Sequence, residues 1–281
     1  MTAKLEHYLT AWHLSDPRPL ARTPTSHLYT VTWESGTVVL KLLTDYGREE
    51  QRGASALRYF DGRGAVRLYR SDAAAQLLEY ASGEELIGLV ERGDDPGATR
   101  IIAAVLEQLH DGPQGEHMGG LLLLKDWFRA LLNKADLDRA AGVQSIYVRG
   151  ADLAARLLAD PREVRVLHGD VHHRNIRQSP RGWLAFDPKG LVGERTYDCT
   201  NTLCNPFRGQ PRYDDLVHDE RRLLTHAGIL ADALSIELAR VLQFTFAYAC
   251  LSATWSLTTH KSDAAQWALN VATLLEPHVP C

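Results

Sequence analysis

The hydrophobic pattern of the chain changes near Tyr80, and this change limits the folds that the sequence can adopt. Before it, apolar residues gather in short runs rich in β-branched and aromatic side chains, HLYTVTWE and TVVLKLL, with Ser35-Gly36 between them as a turn. After Ser82-Gly83, apolar residues recur at helical spacing in long segments. The sequence therefore predicts an α+β, two-lobed protein, with a small antiparallel β-rich lobe at residues 1–80 and a larger, mostly helical lobe at residues 81–281.

The same pattern predicts individual elements of the two parts. The β-rich part is expected to pair residues 27–34 with residues 37–43 as a hairpin, and to continue with a helix over residues 48–60 and strands over residues 65–70 and 74–81. The later part is expected to be helical, apart from two extended apolar runs, VRVLH and GWLAFD. No element is predicted before HLYTVTWE.

Composition and charge exclude several classes of partner. A formal net charge of -4 provides no positive field for nucleic acid or anionic lipid, so neither is an expected partner.

The four cysteines form no CxxC pair and the first residues do not read as a signal peptide, which predicts a cytoplasmic location. The apolar stretch at residues 241–257 contains a glutamine and several hydroxyl residues, which favours a buried helix over a membrane span. A monomer is expected.

The motif HGDVHHRN lies at residues 168–175, between the two extended runs of the helical part. Asp170 precedes Asn175 by five positions, and Asp187 ends the second run, followed by Pro-Lys-Gly. A carboxylate on a tight loop can accept a proton from a hydroxyl, while an amide oxygen and a second carboxylate are hard ligands that suit Mg²⁺. This spacing is typical of the protein-kinase fold, and it predicts phosphoryl transfer from ATP, with Asp170 as the base and Asn175 and Asp187 as metal ligands.

Such a transfer also needs a lysine on a strand and an acid on the following helix, to hold the phosphates of the donor. Lys41 lies in the apolar run VVLKLL, where a lysine is unfavourable unless it is paired. Glu50 and Glu49 both follow it, and Glu50 is the preferred partner because it shares a helical face with Leu57.

The segment LLEYASG is the expected hinge between the lobes. The main chain of Glu79 and of Ala81 would bind the adenine edge there, although an edge strand leading into a helix describes the segment equally well. No GxGxxG motif precedes Lys41, and the corresponding turn reads TPTSHLYTV. Ser26 is the candidate phosphate contact in this turn, with His27 beside it.

Three segments, HGDVHHRN, GWLAFDPKG and GERTYD, together resemble the aminoglycoside phosphotransferase branch of the kinase-like fold. LVGERTYDCTNTLCNP, RGAVRLY and LLEYA are similar to the streptomycin 6-kinase group, the aminoglycoside and hydroxyurea resistance kinases. The resemblance implies ATP- and Mg²⁺-dependent phosphorylation of a small cationic antibiotic, expected to be streptomycin at position 6. It also implies that His168 braces the catalytic loop and that Asp198 caps its backbone.

The acceptor side is the least specified part of the sequence. A polycationic acceptor favours a cleft lined by carboxylates, and several acids follow the metal loop. Glu194 is the leading candidate among them, and Asn205 and Trp255 are further ones. Hydroxyurea, a macrolide, homoserine, choline or a sugar amine are alternative acceptors, and a catalytically silent kinase-fold binding protein is an alternative of another class. GDVH also resembles part of a two-metal phosphoesterase signature, but that signature opens with an Asp-x-His near the chain start and needs a later Gly-Asn-His-Glu, and neither occurs at those places in this sequence.

Overall fold

The computed structural model of the protein describes residues 2–112, 119–206, 211–259 and 261–279. The first part of the chain contains, in order, α1 (Thr2–Trp12), β1 (Leu14–Arg22), β2 (Ser26–Trp33), β3 (Gly36–Leu43), α2 (Glu50–Phe60), β4 (Leu68–Ser71) and β5 (Ala75–Glu79). The second part contains α3 (Ile87–Glu91), α4 (Asp95–His110), β6 (Leu122–Leu123), α5 (Leu124–Trp127), α6 (Arg129–Ala140), α7 (Ile146–Ala159), β7 (Val164–Leu167), β8 (Ile176–Ser179), β9 (Gly182–Ala185), β10 (Leu191–Glu194), α8 (Thr200–Leu203), α9 (Pro211–Val217), α10 (Glu220–Leu234), α11 (Leu238–Thr258) and α12 (Ser262–Leu275).

The strands of the first part form an antiparallel sheet with the order β1-β2-β3-β5-β4. The predicted hairpin is confirmed, because β2 and β3 pair from Ser26 with Leu43 to Trp33 with Gly36. The strand β1 was not predicted. It carries two prolines, and each of its residues after Leu14 is exposed, so it lacks the alternation of a half-buried strand and occupies the sheet edge.

The two faces of β3 pack in different directions. Val38, Leu40 and Leu42 form a small core with Tyr8 of α1, another element that the sequence did not reveal. Val39 belongs to the larger core that continues into the helical lobe. Because side chains alternate along a strand, Lys41 lies on the same face as Val39 and is directed toward the other lobe.

The second part is mainly helical, and its core is built around α11. Phe244 and Phe246 of this helix are almost fully buried, and α11 packs against α7, α10 and α12. Within the described residues, no helix combines the length and the apolar character needed to cross a membrane. The predicted α+β, two-lobed architecture is therefore confirmed; the division at residue 80 falls in the connector between the end of β5 and the start of α3.

Strand pairing brings the two polar loops of the sequence together. The HGDVHHRN loop leaves β7 after Leu167, and the DPKG loop enters β10 at Leu191, and these two residues are paired in antiparallel register. The far ends of the loops are also paired, through Ile176 of β8 and Ala185 of β9. Each loop is thus fixed at both ends beside the other. The β8–β9 hairpin also contacts the first lobe, where the Val66 N–H donates to the Ala185 carbonyl at 2.9 Å.

Candidate active site

A buried lysine joins the two lobes. The Nζ of Lys41 lies 2.6 Å from Oε2 of Glu50 and 2.6 Å from Oδ1 of Asp187, and Lys41 is 6% exposed. Two carboxylates, one from each lobe, therefore compensate the desolvated ammonium group. Of the two acids considered as its partner, Glu50 makes this contact, while the side chain of Glu49 lies outside the described residues.

The helix that carries Glu50 lies close to the DPKG loop. A Cβ atom on Gly53 of α2 would overlap the carbonyl oxygen of Pro188, so only glycine permits this approach. Gly190 has a φ of +68°, and a Cβ atom there would overlap the carbonyl oxygen of Arg52. These two glycines allow Asp187 to approach the lysine of the other lobe.

The electrostatics of the site keep its acids ionised. Burial by itself lowers the pKa of Lys41, but Asp187 and Glu50 outweigh burial and raise it. Burial by itself raises the pKa of Asp187, but Lys41 and Lys189 hold that pKa well below its usual range. Burial opposes the ionisation of Asp170 in the same way, and Lys189 and His172 lower its pKa. Both carboxylates therefore carry a charge at neutral pH.

The carboxylate of Asp198 binds the backbone at the start of the HGDVHHRN loop. Its Oδ2 accepts a hydrogen bond from the backbone N–H of His168 at 3.0 Å, and its Oδ1 accepts one from Gly169 at 2.7 Å. His110 lies against the same carboxylate, with Nε2 at 2.9 Å from Oδ2. The ring of His168 is fully buried, with Nε2 at 3.1 Å from the carbonyl oxygen of Phe186. His168 and Asp198 thus occupy the positions that the bracing and capping roles require.

Two asparagines orient the carboxylate of Asp170. The amide nitrogen of Asn175 donates to the Asp170 carbonyl at 3.0 Å and to Oδ2 at 3.3 Å. The amide nitrogen of Asn201, which the sequence did not single out, donates to Oδ1. Because the nitrogen of Asn175 is engaged in this way, its amide oxygen is the atom left to bind a cation. That oxygen and the carboxylate of Asp187 are hard ligands, so the residues fit Mg²⁺.

Lys189 was also missed, although it lies within the quoted DPKG motif. Its Nζ is 3.1 Å from Oδ2 of Asp170 and 3.4 Å from Oδ2 of Asp187. Burial by itself lowers the pKa of Lys189, but the two carboxylates raise it above the ordinary lysine range. A lysine two positions after a proposed metal ligand was the available sequence signal.

An apolar cavity of about 330 Å³ lies between the lobes. It is lined by Leu20, Ala21, Leu28, Val39, Val66, Leu78, Glu79, Tyr80, Ala81, Glu85, Arg177 and Phe186. The predicted hinge residues Glu79 and Ala81 therefore border a cavity suited to a planar base. The N–H of Glu79 donates to the Arg67 carbonyl at 2.9 Å. The adenine contacts of both residues stay a prediction.

The side chain of Ser26 does not have the position that a phosphate contact requires. It is 1% exposed, and its hydroxyl lies 3.0 Å from the hydroxyl of Thr23, so it stabilises the turn between β1 and β2. The hydroxyl of the preceding residue, Thr25, donates to Oε1 of Glu50 at 2.8 Å. The assignment of Ser26 as a phosphate contact is therefore corrected, because its side chain is buried in the turn.

Two further cavities border Asp170, and they share Asp170, Tyr248 and Trp255. One measures about 420 Å³ and is lined by Asp170, His172, Asn201, Cys204, Asn205, Tyr248, Ser252, Trp255, Ser256, Thr259, Lys261, Ala264, Trp267 and Ala268. The other measures about 510 Å³ and is lined by Arg52, Leu122, Asp126, Trp127, Ala130, Gly169, Asp170, Lys189, Tyr248 and Trp255. Asn205 and Trp255, two of the acceptor candidates, thus border the cavities.

Glu194, the leading candidate for a contact with the acceptor, does not line either of these cavities. It is 2% exposed, and its Oε1 and Oε2 accept hydrogen bonds from Arg240 at 2.7 and 2.6 Å. Thr196 donates to Oε1 as well, at 2.8 Å. Its assignment as a substrate contact is corrected, because a buried carboxylate with these partners has a structural role. Two of the other acids that follow the metal loop also have structural partners, since Asp219 caps α10 and Glu220 pairs with His278. These residues therefore do not form the expected acceptor-facing row of carboxylates.

We expect Glu194→Gln to lower the free energy of unfolding by about 3 kcal/mol, because the substitution leaves the charge of Arg240 buried and unpaired. Chemical denaturation would measure this loss. The matched control is Glu237→Gln, which breaks an exposed pair with Arg162 and should change stability by less than about 1 kcal/mol. A stable Glu194→Gln protein with a raised KM for its acceptor would restore Glu194 as a substrate contact.

The charge pairs across the cleft are those that phosphoryl transfer requires. Together with the relatives described next, they define the class of the protein: it is a phosphotransferase with a kinase-like fold and an alcohol group as acceptor. The sequence profile of the aminoglycoside/hydroxyurea antibiotic resistance kinases matches residues 11–259, and the chain belongs to this family.

Two relatives and one solved structure show what the chain is similar to. It is 37% identical over 209 residues to the streptomycin 3''-kinase of Klebsiella pneumoniae, and the alignment covers 74% of this chain and 76% of that protein. It is 28% identical over 292 residues to the streptomycin 6-kinase of Streptomyces glaucescens, and the alignment covers 99% of this chain and 90% of that protein. An aminoglycoside phosphotransferase crystallised with ADP and hygromycin B shares the fold, with a TM-score of 0.65 at 13% identity, over 98% of this chain and 99% of that one.

Proposed function

We propose that the protein transfers the γ-phosphoryl group of ATP to a hydroxyl of streptomycin. The observation that carries this proposal is the position of Asp170, which borders two cavities on one side and contacts Lys189 on the other. The apolar interlobe cavity and the Lys41–Asp187 pair provide a separate site for the donor. The streptomycin kinases among its relatives support the choice of acceptor.

The acceptor cavities favour recognition of a cation by aromatic faces more than by carboxylates. Trp127 and Trp255 lie edge to face, with ring centroids 4.9 Å apart, and the ring of Tyr248 is 6.5 Å from that of Trp255. Guanidinium groups bind the faces of such rings, and tryptophan gives the strongest contact. Asp126 and Asp170 add two carboxylates to this lining. We therefore infer that the guanidinium groups of streptomycin pack on this aromatic cluster.

In the proposed reaction, Asp170 orients the acceptor hydroxyl and accepts its proton as the oxygen attacks phosphorus. Asn175 and Asn201 hold the carboxylate in place for this role. A bound Mg²⁺ would be held by Asn175 and Asp187 and would supply charge neutralisation at the phosphates. Lys41, fixed by Glu50, provides a cation for the donor phosphates.

The acceptor hydroxyl has two candidates. Position 6 is the prediction from the sequence, and the relative matched over 99% of this chain is a streptomycin 6-kinase. The relative with the higher identity of the two is a streptomycin 3''-kinase, which makes position 3'' the second candidate. We propose a monomer, as expected from the sequence, and the predicted cytoplasmic location would supply ATP.

The test is a coupled ADP-release assay with Mg²⁺ and ATP across streptomycin, other aminoglycosides and hydroxyurea. We expect turnover with streptomycin, and two-dimensional NMR of the product should assign the phosphate to position 6 or to position 3''. Asp170→Asn protein, prepared in the same way, gives the background from contaminating ATPases. Turnover with hydroxyurea and none with streptomycin would overturn the acceptor assignment, and nucleotide binding without turnover of any acceptor would favour a silent binding protein.

A further inference from the structure

Lys189 lies between the two acids on which the proposed reaction depends. Its Nζ is 3.1 Å from the carboxylate of Asp170 and 3.4 Å from that of Asp187. With Lys41 and Glu50, these groups form a continuous row of alternating charges across the cleft: Glu50, Lys41, Asp187, Lys189 and Asp170. Lys189 is therefore the cation placed where the donor side of this row meets the acceptor side.

The backbone of Lys189 is fixed beside the catalytic loop. Its N–H donates to the carbonyl of His168 at 2.7 Å, which ties the residue to the catalytic loop. Pro188 precedes it with a restricted φ, and Gly190 follows in the left-handed region. The side chain is 35% exposed and lines the cavity of about 510 Å³ that Asp170 also borders. Its amine is thus anchored and also accessible from the acceptor side.

We propose that Lys189 is a catalytic residue that contacts the phosphoryl group during its transfer. This inference rests on the proposed function, in which Asp170 receives the proton of the acceptor. In the step, the acceptor oxygen forms a bond to the γ-phosphorus, and the bond from that phosphorus to the bridging oxygen breaks. The electron pair of the broken bond stays on ADP, and the acceptor proton goes to Asp170. The ammonium group of Lys189 donates a hydrogen bond to a non-bridging oxygen of the moving group.

A purely structural role is the competing explanation. In that case Lys189 only separates and neutralises two carboxylates, and it makes no contact with the donor or the acceptor. Its loss would then affect stability, the affinity for nucleotide or the charge and orientation of Asp170, and the protein would still bind a phosphoryl group in transfer as tightly as the wild type. The two explanations therefore differ in whether the substitution removes the tighter binding of a mimic of the phosphoryl group in transfer, and a fall in kcat is expected from the catalytic role with little change in KM for ATP.

The kinetic test compares Lys189→Met and Lys189→Arg with Lys125→Met, a control on the exposed surface of α5. We expect Lys189→Met to lower kcat by roughly 10²- to 10³-fold, as the removal of one preorganised donor does, with less than about 3-fold change in KM for ATP. Lys189→Arg should recover part of kcat because it keeps the charge. The control should match the wild type.

A second measurement does not depend on turnover. Aluminium fluoride with ADP and Mg²⁺ imitates a phosphoryl group in transfer, and it should tighten ADP binding by the wild-type protein in calorimetry. Lys189→Met should bind ADP normally and lose this tightening. If instead the tightening is intact, or kcat is unchanged while ADP affinity falls, the catalytic role is wrong. If the wild type turns over no acceptor, the proposed function fails, while the ADP and fluoride measurement still tests Lys189.

Discussion

Replacing Asp170 by asparagine is expected to lower kcat by roughly 10²- to 10⁴-fold, the range that general-base assistance provides. The amide keeps the shape of the side chain but cannot accept the proton of the acceptor hydroxyl at neutral pH. The pKa of Asp170 is held below its usual range by Lys189 and His172 against the effect of burial, so the wild-type carboxylate is ionised and ready to act. Fixed-time assays of product formation at saturating ATP and streptomycin would measure the loss of kcat.

The affinity for nucleotide should survive the same substitution, because Asp170 lies on the acceptor side of the row of charges. Calorimetry with a non-hydrolysable ATP analogue and Mg²⁺ should give a Kd within about 3-fold of the wild-type value. Asp214→Asn, at an exposed acid on α9, is the matched control and should leave both quantities unchanged. A large loss of nucleotide affinity in Asp170→Asn, with kcat retained, would place Asp170 at the donor instead of the acceptor.

The central residues of the candidate site could be predicted from the sequence because each carries a local signal. Asp170 and Asn175 have a fixed spacing within one loop, and that loop lies between two short apolar runs. Lys41 lies within an apolar run, which makes an unpaired lysine unfavourable there and so predicts a partner. In the structure Lys41 contacts both Glu50 and Asp187. Glu50 lies only nine positions after Lys41 in the sequence, whereas Asp187 is distant.

Residues whose roles depend on distant partners could not be assigned. Glu194 has the charge expected of an acceptor contact, but its partner Arg240 lies 46 positions later, and no local pattern reveals that pair. Lys189 was quoted within a motif, yet its contact with Asp170 depends on the register of β7 with β10. The edge strand β1 escaped detection for a different reason, since its prolines and exposed side chains remove the alternation by which strands are recognised.

Replacing Asp187 by asparagine should damage nucleotide binding, in contrast to the substitution at Asp170. The carboxylate of Asp187 contacts both Lys41 and Lys189, and it is one of the two ligands that fit Mg²⁺. Its loss removes a metal ligand and leaves the buried charge of Lys41 with Glu50 alone. We expect the Kd for an ATP analogue with Mg²⁺ to rise by about 100-fold, which corresponds to about 2.7 kcal/mol.

Chelation of Mg²⁺ separates the metal contribution from a general loss of structure. In the wild type and in Asp170→Asn, removing the metal with EDTA should weaken binding of the ATP analogue strongly. In Asp187→Asn the same treatment should have little further effect, because the variant already lacks the carboxylate ligand. Thermal unfolding without nucleotide would detect misfolding, and the three proteins should remain folded at the assay temperature. If Asp187→Asn keeps a strong response to Mg²⁺, the metal is held by other residues, and the assignment of Asp187 as its ligand is wrong.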